Sequence, residues 1–465
     1  MNSLKKILAL TALTLSFGTS ARAEFKLPPI QSLSLDNGMK IFFVPQNEVP
    51  LVHITLAIAT GSASDGALWG LTSVTADALS LGTKSYSKQK IEDTFDFYGI
   101  DYQTVTNKDY TTIEASVATA DLPKLLPIVA ELVIAPKFPS AEVDKLRNRT
   151  VSQLKKGKES PNRIASKVFE RLYYKDHPYA STEDGVAATV QKLKAADLVN
   201  FHAAHFQPQI AALTIAGDFD AGQVKTLIEQ NFGAWKKGAA VPTQVTAPVK
   251  PLAATEVLLL DKSDSHETTF RIGGIGAPGF NKDWVKLTVI NTLLGGRFTS
   301  ILNEELRVKS GYTYGAKSMF NNFHSSGTFF ISTFTATETT YKTLDLALAT
   351  YKKFVENGID QKTLDSAKAY VKGQFPPQYE TLATLSDLTT ELWAYGISID
   401  QFNSFESQVD ALTLDEANAL IKSKFPRDKL EILMIGKASV LGAEAKKYGT
   451  LRIVPIDKVD TALPL

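Results

Sequence analysis

The stretch with the clearest capacity for chemistry is 306–314, which reads Leu-Arg-Val-Lys-Ser-Gly-Tyr-Thr-Tyr. It contains Arg307 and Tyr314, a guanidinium and a phenol that could stabilise an oxygen that gains negative charge in a transition state. Arg307 could also bind a carbonyl or carboxylate end of a substrate. The alternative is structural, with the arginine in a surface salt bridge at a helix end and the tyrosine packed in a core. Taken alone, two such residues favour the structural alternative.

Two further patterns do not predict a site. Residues 274–279 satisfy G-x-G-x-x-G, but Pro278 removes an N–H group that a phosphate cradle needs, and the surrounding pattern is not βαβ. His202 and His205 are spaced i, i+3, but no acidic third ligand is evident near them. We interpret the first pattern as a strand end with a turn and the second as packing at a helix end.

The elements that must position these residues repeat along the chain. An apolar strand, a glycine and a helix occur at 211–228 and again at 430–448, with Gly217 and Gly436 219 residues apart. Earlier elements repeat at an offset of 216 residues, as in the pair Leu71 and Leu287. An offset of this size indicates two copies of one domain rather than a solenoid.

The repeat predicts a first domain at 31–233, a linker at 234–254 and a second domain at 255–455. The linker contains three prolines and little periodicity, which is typical of an extended connector. In each half, alternating strands are followed by helices gathered in runs, which predicts an α+β fold. The pattern places the first long helix at about 66–81 and, in the second half, helices at 282–309 followed by a strand at 312–321.

Residues 1–23 are predicted to be an export signal that is removed near Ala23. Lys5 and Lys6 precede the apolar segment 7–17, and Ala21-Arg22-Ala23 is an A-x-A cleavage site. The chain of 465 residues has no cysteine, a formal net charge of +1 and no long block of like charge. We therefore expect an exported, periplasmic protein without disulfides, nucleic-acid partner or membrane span.

The frame around residues 70–83 resembles that of the inverted-zincin metallopeptidases, the pitrilysin and mitochondrial-processing-peptidase family. Members carry H-x-x-E-H on a helix between a Gly-aliphatic pair and a Gly-Thr, and this chain has Gly70-Leu71 and Gly82-Thr83. Phe138-Pro139 resembles the turn before the helix that holds the family's third zinc ligand. The resemblance implies two homologous α+β domains, each a mainly antiparallel sheet with helices packed on it, that form half of a clamshell.

The chain departs from the family at the positions that hold zinc. Ser73 and Asp77 stand where the family has histidines, Ala76 stands where it has glutamate, and Gln153 corresponds to the third ligand. A hydroxyl and an amide are poor Zn²⁺ ligands, and alanine cannot act as a base. We expect no metal in this chain, with a hydrogen-bonded cluster in the degenerate site. The alternative is a Ca²⁺ or Mg²⁺ site, although such sites usually need more carboxylate and carbonyl oxygens.

The stretch 306–314 matches, at every fixed position, the L-R-x-x-x-G-x-x-Y pattern of the two-chain branch of that family. There, one subunit holds zinc and the second domain of the other lends an arginine and a tyrosine. The resemblance therefore implies that Arg307 and Tyr314 complete the active site of a zinc-bearing paralogue.

The resulting expectation is a non-catalytic subunit of a heterodimeric periplasmic zinc metallopeptidase, inactive alone, with the zinc in the partner and a peptide as substrate. The alternative is a non-catalytic structural or peptide-binding protein of the same fold, which as a homodimer would need no second polypeptide.

Overall fold

The computed structural model describes residues 25–239, 245–279 and 281–462. The predicted export signal lies outside these residues, as does 240–244 of the predicted linker. The described parts of the predicted linker, 234–239 and 245–254, contain no helix or strand.

The first half of the chain forms a sheet of six strands. These are β1 (Gln31–Ser34), β2 (Lys40–Pro45), β3 (Leu51–Ile58), β4 (Asp101–Thr106), β5 (Thr111–Ala118) and β6 (Ala211–Gly217). Their order is β1-β2-β6-β3-β5-β4, and only the β2–β6 pair is parallel. One face of the sheet is apolar, since Ile54 and Leu56 of β3 and Ile113 of β5 lie in the core of this half.

The second half repeats this sheet. Its strands are β7 (Glu256–Asp261), β8 (Glu267–Ile275), β9 (Ala316–Asn322), β10 (Gly327–Ala336), β11 (Glu431–Gly436) and β12 (Thr450–Pro455). The order is β12-β7-β11-β8-β10-β9, so five strands correspond one to one with β2–β6. The sixth differs, because β1 precedes its antiparallel neighbour in the chain, whereas β12 follows the rest of the half and pairs parallel to β7.

Helices cover these sheets in both halves. The first half contains α1 (Leu71–Ala78), α2 (Lys88–Tyr98), α3 (Leu122–Ile134), α4 (Ser140–Gly157), α5 (Pro161–Tyr174), α6 (Ala187–Val190), α7 (Ala195–His205) and α8 (Ala221–Phe232). The second contains α9 (Trp284–Asn291), α10 (Ile301–Asn303), α11 (Thr340–Asn357), α12 (Gln361–Gln374), α13 (Leu382–Tyr395), α14 (Ile399–Asn403), α15 (Phe405–Ala411), α16 (Leu414–Lys424), α17 (Ala438–Ala445) and α18 (Val459–Ala462). The predicted α+β fold with two mainly antiparallel sheets is confirmed.

The two halves exchange helices. Helix α5 of the first half packs on the second sheet, where Val168 and Phe169 join a cluster with Leu258 and Leu433. Helix α13 of the second half packs on β3 and β6 of the first sheet. There the contacts include hydrogen bonds, such as the 2.9 Å bond between the hydroxyls of Thr214 and Thr390. Each half therefore covers a sheet face that the other half would leave open.

Two element boundaries differ from the sequence prediction. Helix α1 begins at Leu71 rather than near residue 66, because Gly70 has φ +94°, which a right-handed helix cannot include. In the second half, the strand predicted from residue 312 begins only at Ala316. Tyr314 therefore lies in the loop before β9, where its side chain is exposed.

The described helices include none that is both long enough and apolar enough to cross a bilayer.

Candidate functional site

Helix α1 is held in place by a buried carboxylate at its N-terminus. Asp65 accepts hydrogen bonds from the Gly70 N–H at 2.6 Å, the Thr72 N–H at 2.8 Å and the Thr72 hydroxyl at 2.6 Å. The Ser181 hydroxyl donates a fourth bond at 3.1 Å. Burial raises the pKa of Asp65 to about 6, although these hydrogen bonds oppose the rise. The carboxylate takes up amide groups that a helix start leaves without partners.

Gly70 is required for a second reason besides its positive φ. A side chain at this position would lie 2.7 Å from Val190 and 3.0 Å from the carbonyl oxygen of Asp184. The segment from Asp184 to Val190 therefore packs directly on the start of α1. This contact explains the glycine of the Gly-aliphatic frame that the sequence displays.

The side chains at the degenerate metal positions on α1 are buried or half-buried. Ala76 is fully buried, and Ser73 and Asp77 are half-buried. Asp77 Oδ1 accepts a 2.6 Å hydrogen bond from the Thr104 hydroxyl of β4. Burial raises the pKa of the Asp77 carboxyl, while the Thr104 bond and the charge of Arg149 oppose that shift.

Gln153 does not join Asp77 in a common cluster. It is exposed on α4 and lines a cleft with Arg163, Lys167 and Asp460. Within the described part of the chain it has no hydrogen bond with Ser73 or Asp77. The charged group of α4 that acts on Asp77 is Arg149, one turn earlier.

The α1 site therefore does not fit a zinc ion. Zinc sites in proteins use thiolate, imidazole and carboxylate ligands, and α1 offers a single carboxylate that is already bonded to Thr104. A nearby cation such as Arg149 also opposes binding of a second positive charge. The Ca²⁺ or Mg²⁺ alternative is disfavoured for the same reasons, since no hydrogen bond among the described residues connects Gln153 with the other two.

The equivalent region of the second half is built differently. After α9 the chain forms a short π-helix, called a wide turn below, at Thr292–Gly296. A second wide turn follows α10 at Glu304–Lys309. Such turns with i→i+5 hydrogen bonds are rare and are often found at functional sites. A side chain at Gly295 would lie 2.2 Å from the Ser318 amide nitrogen, so the glycine permits close packing on β9.

Arg307 lies in the second wide turn and is half-buried. Its guanidinium carbon is 4.6 Å from the ring centroid of Phe298, whose side chain is 65% exposed. Among the described residues, Arg307 has no salt bridge, so the structural alternative of a surface ion pair does not hold. The aromatic ring supports the cation without neutralising it.

Tyr314 is the most exposed large apolar or aromatic side chain of this region, at 80%. The backbone before it is fixed, because the Thr335 hydroxyl donates a 2.6 Å hydrogen bond to the Tyr312 carbonyl oxygen. Thr333 likewise donates to the Thr313 hydroxyl at 3.2 Å. The alternative in which Tyr314 packs in a core is therefore wrong. The hydrogen-bonded backbone therefore holds the Tyr314 phenol at the protein surface.

Sequence reasoning missed two residues of these regions, Asp65 and Phe298. Asp65 lies five residues before the Gly-Leu frame, so an aspartate preceding a helix start was the available signal. Phe298 follows the pair Gly295-Gly296 and gave no signal, because exposure of an aromatic residue depends on packing that is remote in sequence.

Comparison with protein families gives two matches along the chain. Residues 42–183 match the model described as Insulinase (Peptidase family M16). Residues 192–371 match the model described as Peptidase M16 inactive domain. The first match contains α1, and the second contains the wide turns with Arg307 and Tyr314.

Individual relatives give the same result. The chain is 25% identical over 349 residues to an uncharacterised zinc protease, YmxG, of Bacillus subtilis, covering 74% of this chain and 83% of the relative. It is 23% identical over 376 residues to the non-peptidase homolog YmxG of Helicobacter pylori, covering 79% and 85%. A crystal structure titled as a peptidase M16 inactive domain, from Pseudomonas fluorescens, superposes with TM-score 0.82 at 25% identity, covering 88% of this chain and 98% of that one.

Proposed function

Because this chain belongs to the M16 (insulinase) peptidase family and is an inactive-type member of it, we propose that it is the non-catalytic subunit of a heterodimeric peptidase. In this proposal the partner is a paralogue with an intact H-x-x-E-H that holds the zinc ion. This chain contributes Arg307 and Tyr314 to the shared active site. Both subunits act on peptides in the periplasm.

The observation that carries the proposal is the contrast between the degenerate metal positions on α1 and the region around Tyr314. The α1 positions have no zinc ligand set, and Asp77 is bonded to Thr104. Tyr314, in contrast, is 80% exposed on a backbone anchored to β10. An exposed phenol and a guanidinium without a salt bridge among the described residues contribute little to the stability of this chain, so their arrangement is better explained by a surface that acts on another molecule.

The chemistry of the pair suits peptide hydrolysis. Attack on a peptide carbonyl places negative charge on its oxygen, and hydrogen-bond donors already aimed at that oxygen lower the barrier. Tyr314 supplies one O–H donor, and Arg307 supplies up to five N–H donors with a permanent positive charge. The Arg307 guanidinium packs on the Phe298 ring, a contact that favours one orientation of the cation.

The names of the relatives agree with a family that contains both active and inactive chains. The B. subtilis relative is named a zinc protease, and the H. pylori relative a non-peptidase homolog. A subunit that has lost its metal ligands and retains the Arg/Tyr pair is consistent with the second kind.

The decisive experiment is to co-purify the chain with a paralogue from the same genome that carries H-x-x-E-H, and to measure kcat/KM on unstructured peptides. We expect no hydrolysis by this chain alone and hydrolysis by the pair. Arg307→Ala should lower kcat/KM of the pair by about 10²–10³-fold, the range for removal of an oxyanion donor, and Tyr314→Phe by about tenfold or more.

Matched controls are available on the same chain. Arg427→Ala changes an exposed arginine elsewhere, Tyr98→Phe changes a partly exposed tyrosine of α2 in the first half, and Ser73→Ala changes the degenerate site. None of the three should alter kcat/KM by more than about twofold.

Three results would contradict the proposal. Metal-dependent hydrolysis by this chain alone, abolished by Arg307→Ala, would make it a peptidase itself. An intact heterodimer whose activity does not respond to Arg307→Ala or Tyr314→Phe would favour the structural or peptide-binding alternative. Light scattering that shows twice the chain mass with no second polypeptide would favour the homodimer.

A further inference from the structure

A second cluster of ligand-type side chains lies away from α1 and from Arg307. Ligand atoms of His53 on β3, Glu114 on β5 and Asp387 on α13 all lie within 4.8 Å of one another. Among the described residues, no other group of three histidine, cysteine, aspartate or glutamate side chains comes this close. The cluster joins the two halves, because the strands belong to the first and α13 to the second.

His53 indicates that the cluster is more than a group of acids. His53 is only 7% exposed, and its Nε2 atom is buried with no hydrogen-bond partner among the described residues. Its Nδ1 atom lies 2.8 Å from the Ser116 hydroxyl. With the proton on Nδ1 donated to Ser116, Nε2 presents a lone pair, which is the tautomer that a metal requires. A buried imidazole nitrogen without a partner is otherwise costly.

Each carboxylate is also oriented by a neighbour. Glu114 accepts hydrogen bonds from Gln103 and Thr112, both at 2.6 Å. Asp387 accepts one from the Thr55 hydroxyl at 3.2 Å. Outer partners of this kind orient the ligands of metal sites in proteins.

The charges around the cluster are unbalanced. Glu114, Asp387 and the adjacent Glu391 have no salt bridge among the described residues. Glu391 follows Asp387 by four residues on α13, so the two carboxylates share one face of the helix. A divalent cation would offset this accumulation of carboxylates.

The geometry points to a binding site for a divalent transition-metal ion, held by His53 Nε2, Glu114 and Asp387. One imidazole and two carboxylates form a ligand set that suits Zn²⁺, and imidazole disfavours Ca²⁺ and Mg²⁺. Ligand atoms around a tetrahedral zinc ion are about 3.4 Å apart, so the three groups must approach by up to about 1.4 Å. Asp387 is exposed and can make this movement, and water has access as the fourth ligand.

Such an ion would fix α13 to the first sheet. Zinc would then act as a clamp between the two halves, independently of any partner subunit. The inference does not depend on the proposed peptidase role, since it concerns the isolated chain.

The test is a titration of the purified, metal-free chain, without a histidine tag, with ZnCl₂. Calorimetry and elemental analysis should give one Zn²⁺ per chain, and Co²⁺ should produce visible absorption bands of a nitrogen- and oxygen-ligated ion. Zn²⁺ should also raise the melting temperature of the chain. Asp387→Asn and His53→Gln should each weaken Zn²⁺ binding at least about tenfold and abolish the thermal shift.

Controls separate this site from the other candidates. Asp400→Asn changes an exposed aspartate on α14, Asp77→Asn the degenerate α1 site and His202→Gln the histidine pair of α7. These three variants should bind Zn²⁺ within about twofold of the unmodified chain. Because Asp387 is exposed, Asp387→Asn should fold even if His53→Gln does not, and circular dichroism verifies this.

Three outcomes would overturn the inference: no stoichiometric Zn²⁺ in the unmodified chain, binding that a folded Asp387→Asn variant retains, or binding lost through Asp77→Asn or His202→Gln instead. The peptidase assay with the zinc-bearing paralogue is a separate measurement, so either idea can fail alone.

Discussion

Helix α1 of the first half and the α9 region of the second are equivalent in sequence, yet they expose opposite chemistry. In the first half, Asp65 binds the backbone at the start of α1. Further along α1, Ala76 is buried and Asp77 accepts a hydrogen bond from Thr104. In the second half, α9 is followed by the two wide turns, and the exposed Tyr314 lies five residues after the second of them. The first region binds its carboxylate within the chain, whereas the second places a phenol at the protein surface.

The exchanged helices also differ, but in degree. Helix α5 meets the second sheet mainly through an apolar cluster, with hydrogen bonds at Ser166 and Glu170 besides. Helix α13 meets the first sheet through hydroxyls and a carboxylate in addition to an apolar cluster that includes Leu388. An apolar contact supplies stability directly, whereas a polar contact supplies specific geometry and a site for a ligand.

The largest expected difference tests this contrast between interfaces. Phe169 is 1% exposed in the α5 contact, so Phe169→Ala should lower the free energy of unfolding by about 3–5 kcal/mol. Thr390→Ala in the α13 contact removes one hydroxyl bond to Thr214 and should cost about 1 kcal/mol. Urea unfolding curves measure both. Equal losses would show that the two interfaces are energetically alike.

The next comparison concerns the residues that precede α1 and α9. Asp65→Ala leaves two amides and two hydroxyls without their acceptor and should cost about 3 kcal/mol. Its equivalent 216 residues later, Asn281, accepts one hydrogen bond from the Asp283 N–H at 2.9 Å. Asn281→Ala should cost about 1 kcal/mol. A loss for Asn281→Ala as large as that for Asp65→Ala would contradict the difference in construction.

The smallest expected effect is a pH dependence of the free energy of unfolding. It comes from Glu431 of the second half, and the first half has no ionisable residue at the equivalent position. Glu431 on β11 is 1% exposed, and neither of its carboxylate oxygens has a hydrogen-bond partner in the described part of the chain. Burial, together with the nearby Glu256, raises its pKa to about 8. The corresponding residue of β6 is Ala212. Because the folded-state pKa is raised, Glu431 contributes stability that is complete below about pH 4.5 and is lost as pH rises through about 8.

The measurement is the free energy of unfolding at pH 6, 7 and 8, compared with Glu431→Gln. Unmodified protein should lose up to about 1.4 kcal/mol per pH unit more than the variant. Parallel curves for the two proteins would show that Glu431 is ionised in the folded state.

Much of this architecture could be predicted from the sequence. The 216–219 residue offset indicated two copies, and alternation of apolar residues placed β3 and β5. Periodicity did not place the start of α1, because the positive φ of Gly70 is set by packing against the segment 184–190. Nor did it show that Tyr314 is exposed, since the delayed start of β9 depends on the wide turns before it.

The His53 cluster illustrates what periodicity cannot reveal. Its three residues lie 61 and 273 positions apart in the chain, and α13 reaches the first sheet only through the exchange of helices. No local pattern marks such a set, because each residue alone fits an ordinary position on a strand or helix.

The sequence by itself determined the repeat and the α+β composition, since these depend on residue types at short spacing, and it placed Ser73, Ala76 and Asp77 where the family that it resembles has its zinc-binding motif. The tertiary structure alone decided which side chains became buried, which reached solvent and which met across the two halves. Those outcomes depend on packing between segments hundreds of residues apart, where contacts rather than local propensity set the free energy.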